Sequence, residues 1–402
     1  MEPERDTLTS LVSRVRLRWV PFPFPFWSFG LVAALTLGKL LLYVLAAQPF
    51  GGAEAGLCQW DCEWYIHTIQ SGYDKEPLLR PNMDFANWAF FPLYPLLAGV
   101  LKLATGLSAF WAGTATSVLC FISFVLLSTR YRALTRGLQT QARDLSWIVL
   151  LTVYPFSFYF FVPYTESLYL LTTVLLLLAV RTNRPTGTGL ATALLTATRP
   201  TGVLVIPYIV LERAWHARLA FLGPGLNLPT RSRVLADCAF PLVLAPLGLA
   251  CYMAYLYWLT GDALAFSHVQ IAWDRRFFNP LKTFYWSLAK NDWFYLLDVN
   301  KPQSHAYAAS FVVVAGLVCL WLLWRGLFLE TWLLGATVLL ALTTSVESIP
   351  RYVTASPVFL FAVGDLVDCV RLRVIRIGLA VLALLLQILL LRVWFGNSGL
   401  LM

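Results

Sequence analysis

WDCEW (60–64), PYTES (163–167), TRPTG (198–202) and IPRY (349–352) put Asp61, Glu63, Glu166, Arg199 and Arg351 beside or between long apolar runs. A carboxylate can take the proton from an attacking hydroxyl. A guanidinium is a permanently charged planar fork that matches phosphate oxygens in pairs. Together they describe a site where a lipid phosphate meets a polar acceptor. Each group also has an ordinary reading. WDCEW can be a solvated loop with an aromatic belt, Glu166 can sit at a helix N-terminus facing the dipole, and either arginine can hold any lipid head group. Asp61 and Glu63 diverge by roughly 200° on a helix, so only one of the two can face a given pocket. Trp60 and Trp64, four apart, would share one helical face and offer an interfacial anchor or a surface for stacking a sugar.

These groups need helices to hold them. Of the 402 residues 59% are hydrophobic and 13% charged, about half the charge of a soluble globule. Apolar stretches of membrane length recur along the chain, so the fold class is an all-α polytopic membrane protein. The net charge of +9 comes from arginines clustered between apolar runs, which is the bias of cytoplasmic loops and argues against nucleic acid. Residues 27–47, behind WVPFPFPFW, are too long for a signal-peptide core and read as a retained first span. Lys39 within that span needs either snorkelling or an internal partner. Cys58 and Cys62 could approach each other on a helical face and read as local packing. His67, four after Glu63, could share a metal with it, but no further ligands stand nearby.

With the N-terminus and the arginine clusters cytoplasmic, an odd number of spans must separate the acidic loop 59–76 from Arg130. The run 89–105 is therefore expected to lie along the outer surface. Spans are expected at about 27–47, 108–128, 145–162, 165–180, 186–199, 202–214, 235–259, 306–324, 328–345, 353–369 and 375–395. That makes eleven. The first external loop, 48–107, and a later loop, 260–305, then fall outside with PYTES, TRPTG and IPRY. No P-loop or GxGxxG stands out, so a nucleotide-bound donor has no support.

The pieces WDCEWYIHTIQSGY (60–73), NWAFFPLYPLL (87–97), YPFSFYFFVPYTESLY (154–169), TRPTG and IPRY resemble the PIG-V mannosyltransferases of the GT-C superfamily. The resemblance implies a GT-C fold, with a conserved module over 1–215, juxtamembrane helices in the first external loop, and a more variable module over 216–402. It implies an inverting transfer of mannose from a polyprenyl- or dolichyl-phosphate donor to a lipid-linked or glycolipid acceptor at the extracytoplasmic face, with Asp61 as general base. In that scheme Arg351 and Arg199 bind the donor phosphate. Trp60, Glu63, Asn87, Tyr164, Glu166 and Tyr352 contact substrate. Neither nucleotide nor other cofactor is required, and a divalent metal is compatible but not implied. Eukaryotic members add the second mannose of the glycosylphosphatidylinositol anchor. This chain is short for those, and WDCEW lacks the small or hydroxylated residues expected after Trp-Asp. That points to a bacterial member in the inner or plasma membrane; a eukaryotic one would sit in the endoplasmic reticulum. The rival readings are a transporter or lipid flippase, which would also use embedded charges and broken helices, and a non-catalytic membrane scaffold.

Overall fold

The computed structural model describes residues 26–77, 85–136, 141–222, 228–273, 275–290, 292, 304–397 and 401. In chain order the helices are α1 Phe26–Ala46, α2 Gly52–Leu57, α3 Cys62–Ser71, α4 Leu93–Thr105, α5 Ala109–Arg136, α6 Gln141–Val153, α7 Glu166–Arg181, α8 Pro185–Thr196 and α9 Val205–Leu222. They continue as α10 Leu228–Leu244, α11 Leu247–Thr260, α12 Ala265–His268, α13 Pro280–Ala289, α14 His305–Trp324, α15 Phe328–Leu342, α16 Ile349–Thr354, α17 Pro357–Cys369 and α18 Arg373–Phe395. Among the described residues five stretches are long and apolar enough to cross a membrane: Ser28–Ala46, Ala109–Thr135, Leu235–Thr260, His305–Trp324 and Arg373–Phe395. Ala109–Thr135 is 67% buried and Arg373–Phe395 only 11%, so α5 is central and α18 peripheral. Around α5 pack α7, α4 and α1, and α7 in turn meets α8.

α4 has 13 residues and spans roughly 20 Å at 1.5 Å per residue, short of a hydrocarbon core. Tyr94 and Ala98 are buried on one face, while Leu96, Val100 and Leu103 are exposed on the other. That division suits a helix lying along a membrane surface.

Several expected spans are broken. The run 145–162 is not one helix: α6 stops at Val153, and a 3-10 turn, Ser157–Phe160, follows. Pro155 has no N–H to continue the ladder. The carbonyls freed there are claimed by side chains from remote helices: Lys39 donates to Thr152 O and, at 2.6 Å, to Ser157 Oγ, and Gln387 Nε2 donates to Tyr154 O at 2.7 Å. Lys39 therefore has an internal partner and does not snorkel. The run 235–259 breaks between α10 and α11 beside Pro246, and 353–369 breaks before Pro357.

Asp292 fixes the start of α14, accepting from Ser304 Oγ at 3.0 Å and from the backbone N–H of His305 and Ala306 at 2.9 Å each. Partial burial works to raise its pKa, but the N–H groups of Ala306 and His305 hold it down to about 2. A depressed carboxyl contributes stability above its unfolded pKa near about 3.9, and the contribution fades as pH falls toward the folded value. Asp292→Asn is therefore expected to melt below wild type from pH 6 down to about 4, with the gap closing as the pH falls from there toward about 2. Melting curves of both proteins across that range check this, and a gap independent of pH would detach the carboxylate from it.

Candidate active site

The turn that carries Asp61 is tight. α2 ends at Leu57, Cys58 is extended, Trp60 sits at φ 53°, and α3 begins at Cys62. The two cysteines are joined by a disulfide, with Cα atoms 5.2 Å apart. This corrects the reading of them as local packing: the left-handed residue at Trp60 folds the chain back, a geometry that helical spacing does not forecast. Trp60 is therefore a turn residue outside the helix, and it does not share a face with Trp64.

Asp61 stands where a side chain normally caps α3, yet its carboxylate makes no cap hydrogen bond. Its Oδ2 faces Arg351 Nη2 at 2.8 Å instead. Tyr164 holds the turn from behind, its phenol donating to Gln59 O at 2.7 Å and accepting from Asp61 N at 3.2 Å. Behind Tyr164 lies Trp394 from α18, 5.9 Å between ring centres, with Nε1 donating to Leu57 O at 3.0 Å.

Glu166 is the first residue of α7 and fully buried. Its Oε1 pairs with Arg199 Nη2 and lies 3.5 Å from Arg351 Nε. Arg199 extends just before the 3-10 turn Pro200–Leu204, and its Nε donates to Thr165 Oγ1 at 2.7 Å. Gly202 in that turn is required, because a Cβ there would come within 2.3 Å of Leu195 O. The Tyr352 ring lies 5.7 Å from the Arg199 guanidinium and 5.8 Å from that of Arg351. Burial works against the charge on Arg351, but Asp61 and then Glu166 push its pKa well above the ordinary value. Burial likewise drives the Tyr65 phenol up, so it enters the site as a neutral donor.

These groups share a cavity of about 280 Å³ that is lined by Asp61, Tyr65, Tyr164, Glu166, Arg199, Arg351 and Tyr352. Three residues expected to contact substrate are not among those lining the cavity: Trp60, which sits at the turn, Glu63 and Asn87. Glu63 is exposed and points away, as the divergence of neighbours on a helix requires. Asn87 is buried outside the cavity, donating to Thr68 Oγ1 at 3.1 Å and Gly72 O at 2.9 Å and accepting from Asp74 N at 3.0 Å. It fastens the loop that carries α3. His67 pairs with Asp74 at 2.8 Å rather than with Glu63, and among the described residues no group of three or more His, Cys, Asp or Glu comes together.

Sequence reasoning missed a wall of the cavity formed by Phe266, Gln270, Trp273 and Arg275, with Ser345 and Ser348 across the chain. Trp64 reaches this wall, its ring 5.6 Å from that of Trp273. One signal was available: an arginine in a loop assigned to the outer side runs against the positive-inside bias.

No family model matches the sequence, and no curated protein does. Solved chains that resemble the structure include the S. cerevisiae protein O-mannosyltransferase Pmt1-Pmt2 complex bound to the sugar donor, at 11% identity and TM-score 0.39, over 68% of this chain and 37% of that one. The Archaeoglobus fulgidus oligosaccharyltransferase in its apo form matches at 13% identity and TM-score 0.39 over 91% of this chain and 56% of that one. The archaeal oligosaccharyltransferase AglB from Archaeoglobus fulgidus, in complex with an inhibitory peptide and a dolichol-phosphate, matches at 13% and 0.38 over the same shares. This chain thus spans 37 to 56% of the length of those it resembles. Likeness at that level establishes neither fold family nor activity, and the chemistry rests on the cavity itself.

Proposed function

We propose that this chain is a membrane-embedded inverting glycosyltransferase that moves mannose from a polyprenyl-phosphate-mannose donor to a hydroxyl of a glycolipid or lipid-linked acceptor at the extracytoplasmic face. The observation that carries the reading is the pairing of Asp61 with Arg351 inside one cavity that also holds Glu166 and Arg199. The apolar helices supply the setting for a lipid-linked donor. The Cys58–Cys62 disulfide favours an oxidising compartment for the Asp61 turn.

In this mechanism the acceptor hydroxyl attacks the anomeric carbon while Asp61 takes its proton, and the bond from that carbon to the phosphate oxygen breaks. Negative charge leaves Asp61 as it arrives on the lipid phosphate. Protonation weakens the hold of Asp61 on Arg351, so this guanidinium becomes available to the departing phosphate when the charge appears there. A prepositioned cation in a desolvated site contributes most under those conditions. The remaining cavity hydroxyls, including Tyr65 and Tyr352, orient the sugar. Trp394 acts through the turn rather than on substrate. Trp394→Phe keeps an aromatic ring, smaller than the indole, and removes the bond to Leu57 O, so turnover is expected to fall by up to about tenfold with little change in donor KM. Steady-state kinetics beside a melting curve would separate lost positioning from lost fold.

The reading is tested with purified protein in lipid nanodiscs, synthetic polyprenyl-phosphate-mannose and a panel of hydroxyl acceptors. Transfer with opposite anomeric configuration in donor and product is expected. A protein that binds the donor, leaves it intact and moves it across the bilayer would be a flippase instead.

A further inference from the structure

We propose that Arg275 is the resting-state anchor for the phosphate anion of a lipid substrate, an inference that rests on the transferase reading above and assigns a residue to its substrate site.

The other two arginines of the cavity are already engaged. Arg351 is bonded to Asp61 at 2.8 Å and reaches Glu166, while Arg199 is bonded to Glu166 and to Thr165. These two guanidiniums and two carboxylates form a neutral quartet. A phosphate arriving in the ground state gains little from it, because each cation is already shared with an anion. Arg275 differs. It lines the same cavity, its Nη1 donates to the Gln270 side-chain oxygen at 3.1 Å, and it has no carboxylate partner among the described residues. The described cavity lining therefore carries Arg199, Arg351 and Arg275 against Asp61 and Glu166, a surplus of one positive charge that Arg275 supplies. One phosphodiester would balance it.

Stereochemistry points the same way. In an inverting displacement the base and the leaving group lie on opposite faces of the reacting carbon. The guanidinium bonded to the base is held beside Asp61 until the proton moves, so a separate cation is needed to seat the phosphate before reaction. Arg275 comes from a segment remote in sequence from the Asp61 turn, just past the 3-10 stretch Val269–Trp273, and Gln270 within that stretch accepts from one of the five N–H donors of its guanidinium. Arg275 then contributes to ground-state binding, and Arg351 to the step in which charge moves.

Phosphate chemistry could reach Arg275 from the donor or from an acceptor with a phospholipid headgroup. The test uses the full chain in phosphatidylcholine nanodiscs and measures binding of farnesyl phosphate, short-chain phosphatidylinositol and uncharged farnesol to wild type, Arg275→Gln and Arg275→Lys. Arg275→Gln is expected to weaken farnesyl phosphate by about tenfold or more, since bonds to charged groups are the strong ones, with Arg275→Lys between and farnesol unchanged. Loss confined to phosphatidylinositol assigns the anchor to the acceptor. Unchanged affinity for both anionic probes overturns the proposal. Should Arg275→Gln not fold, Gln270→Ala is read in its place, with a several-fold loss expected for an anionic probe and no loss counting against the anchor. Binding needs no turnover, so the two ideas fail separately. Phosphate binding through Arg275 without transfer sinks the transferase and keeps the anchor, whereas transfer by Arg275→Gln with wild-type KM for donor and acceptor does the reverse.

Discussion

Asp61→Asn is expected to lower transfer by about two orders of magnitude or more while leaving the protein folded, because positioned acid-base groups typically contribute about 10² to 10⁴ in rate. The structure makes the substitution a clean one. The Asp61 carboxylate does not cap α3, so the helix loses no hydrogen bond when the charge goes. The side chain is 26% exposed, which limits the cost of changing it. Asn keeps the shape and an oxygen for Arg351, but it cannot accept a proton at neutral pH. The variant also releases Arg351 from its ion pair, so donor affinity should hold or improve while kcat falls, the pattern of an interaction made only in the transition state. Kinetics with saturating donor decide the matter: full turnover by the Asn variant removes Asp61 from the role of base.

Glu166→Gln should be the most damaging single change to stability. Glu166 is completely buried and shared between two buried arginines. Removing one partner of a buried ion pair leaves an uncompensated charge and typically costs about 3 to 5 kcal/mol. Here two guanidiniums would face Asp61 alone, and Arg199 would keep only Thr165 and its aromatic neighbours Tyr169 and Tyr352. Lower yield and a lower melting temperature are the expected readouts, with no active protein recovered. The double variant Glu166→Gln/Arg199→Gln removes the orphaned cation with its partner, and it should lose less than the two single changes summed. Strict additivity in that cycle would mean the pair is not coupled as its geometry implies.

Much of this protein was legible in order along the chain. Apolar runs of membrane length required helices, since hydrocarbon leaves backbone groups no other partners. Charged residues out of place among those runs picked out Asp61, Glu166, Arg199 and Arg351, which line one cavity. Buried charge in an apolar sequence is costly enough to need a reason, so residue type and location were sufficient evidence. Lys39 followed the same logic and has an internal partner.

Tertiary structure alone decided how those groups divide the work. Which of Asp61 and Glu63 faces inward depends on the turn at Trp60 and its disulfide, which reset the phase of α3. That Arg351 and Arg199 are committed to carboxylates, and Arg275 is not, depends on packing between segments that lie far apart in sequence. Asn87 looked like a substrate contact and is a loop fastener, because a polar side chain at the end of an aromatic motif can turn either way. Helix ends at Val153, Leu244 and Thr354 were hidden because apolar patterning gives the length of a hydrophobic run but not where its backbone hydrogen bonds change hands. Local residue type sets what can be buried, and long-range contacts choose the partner for each charge.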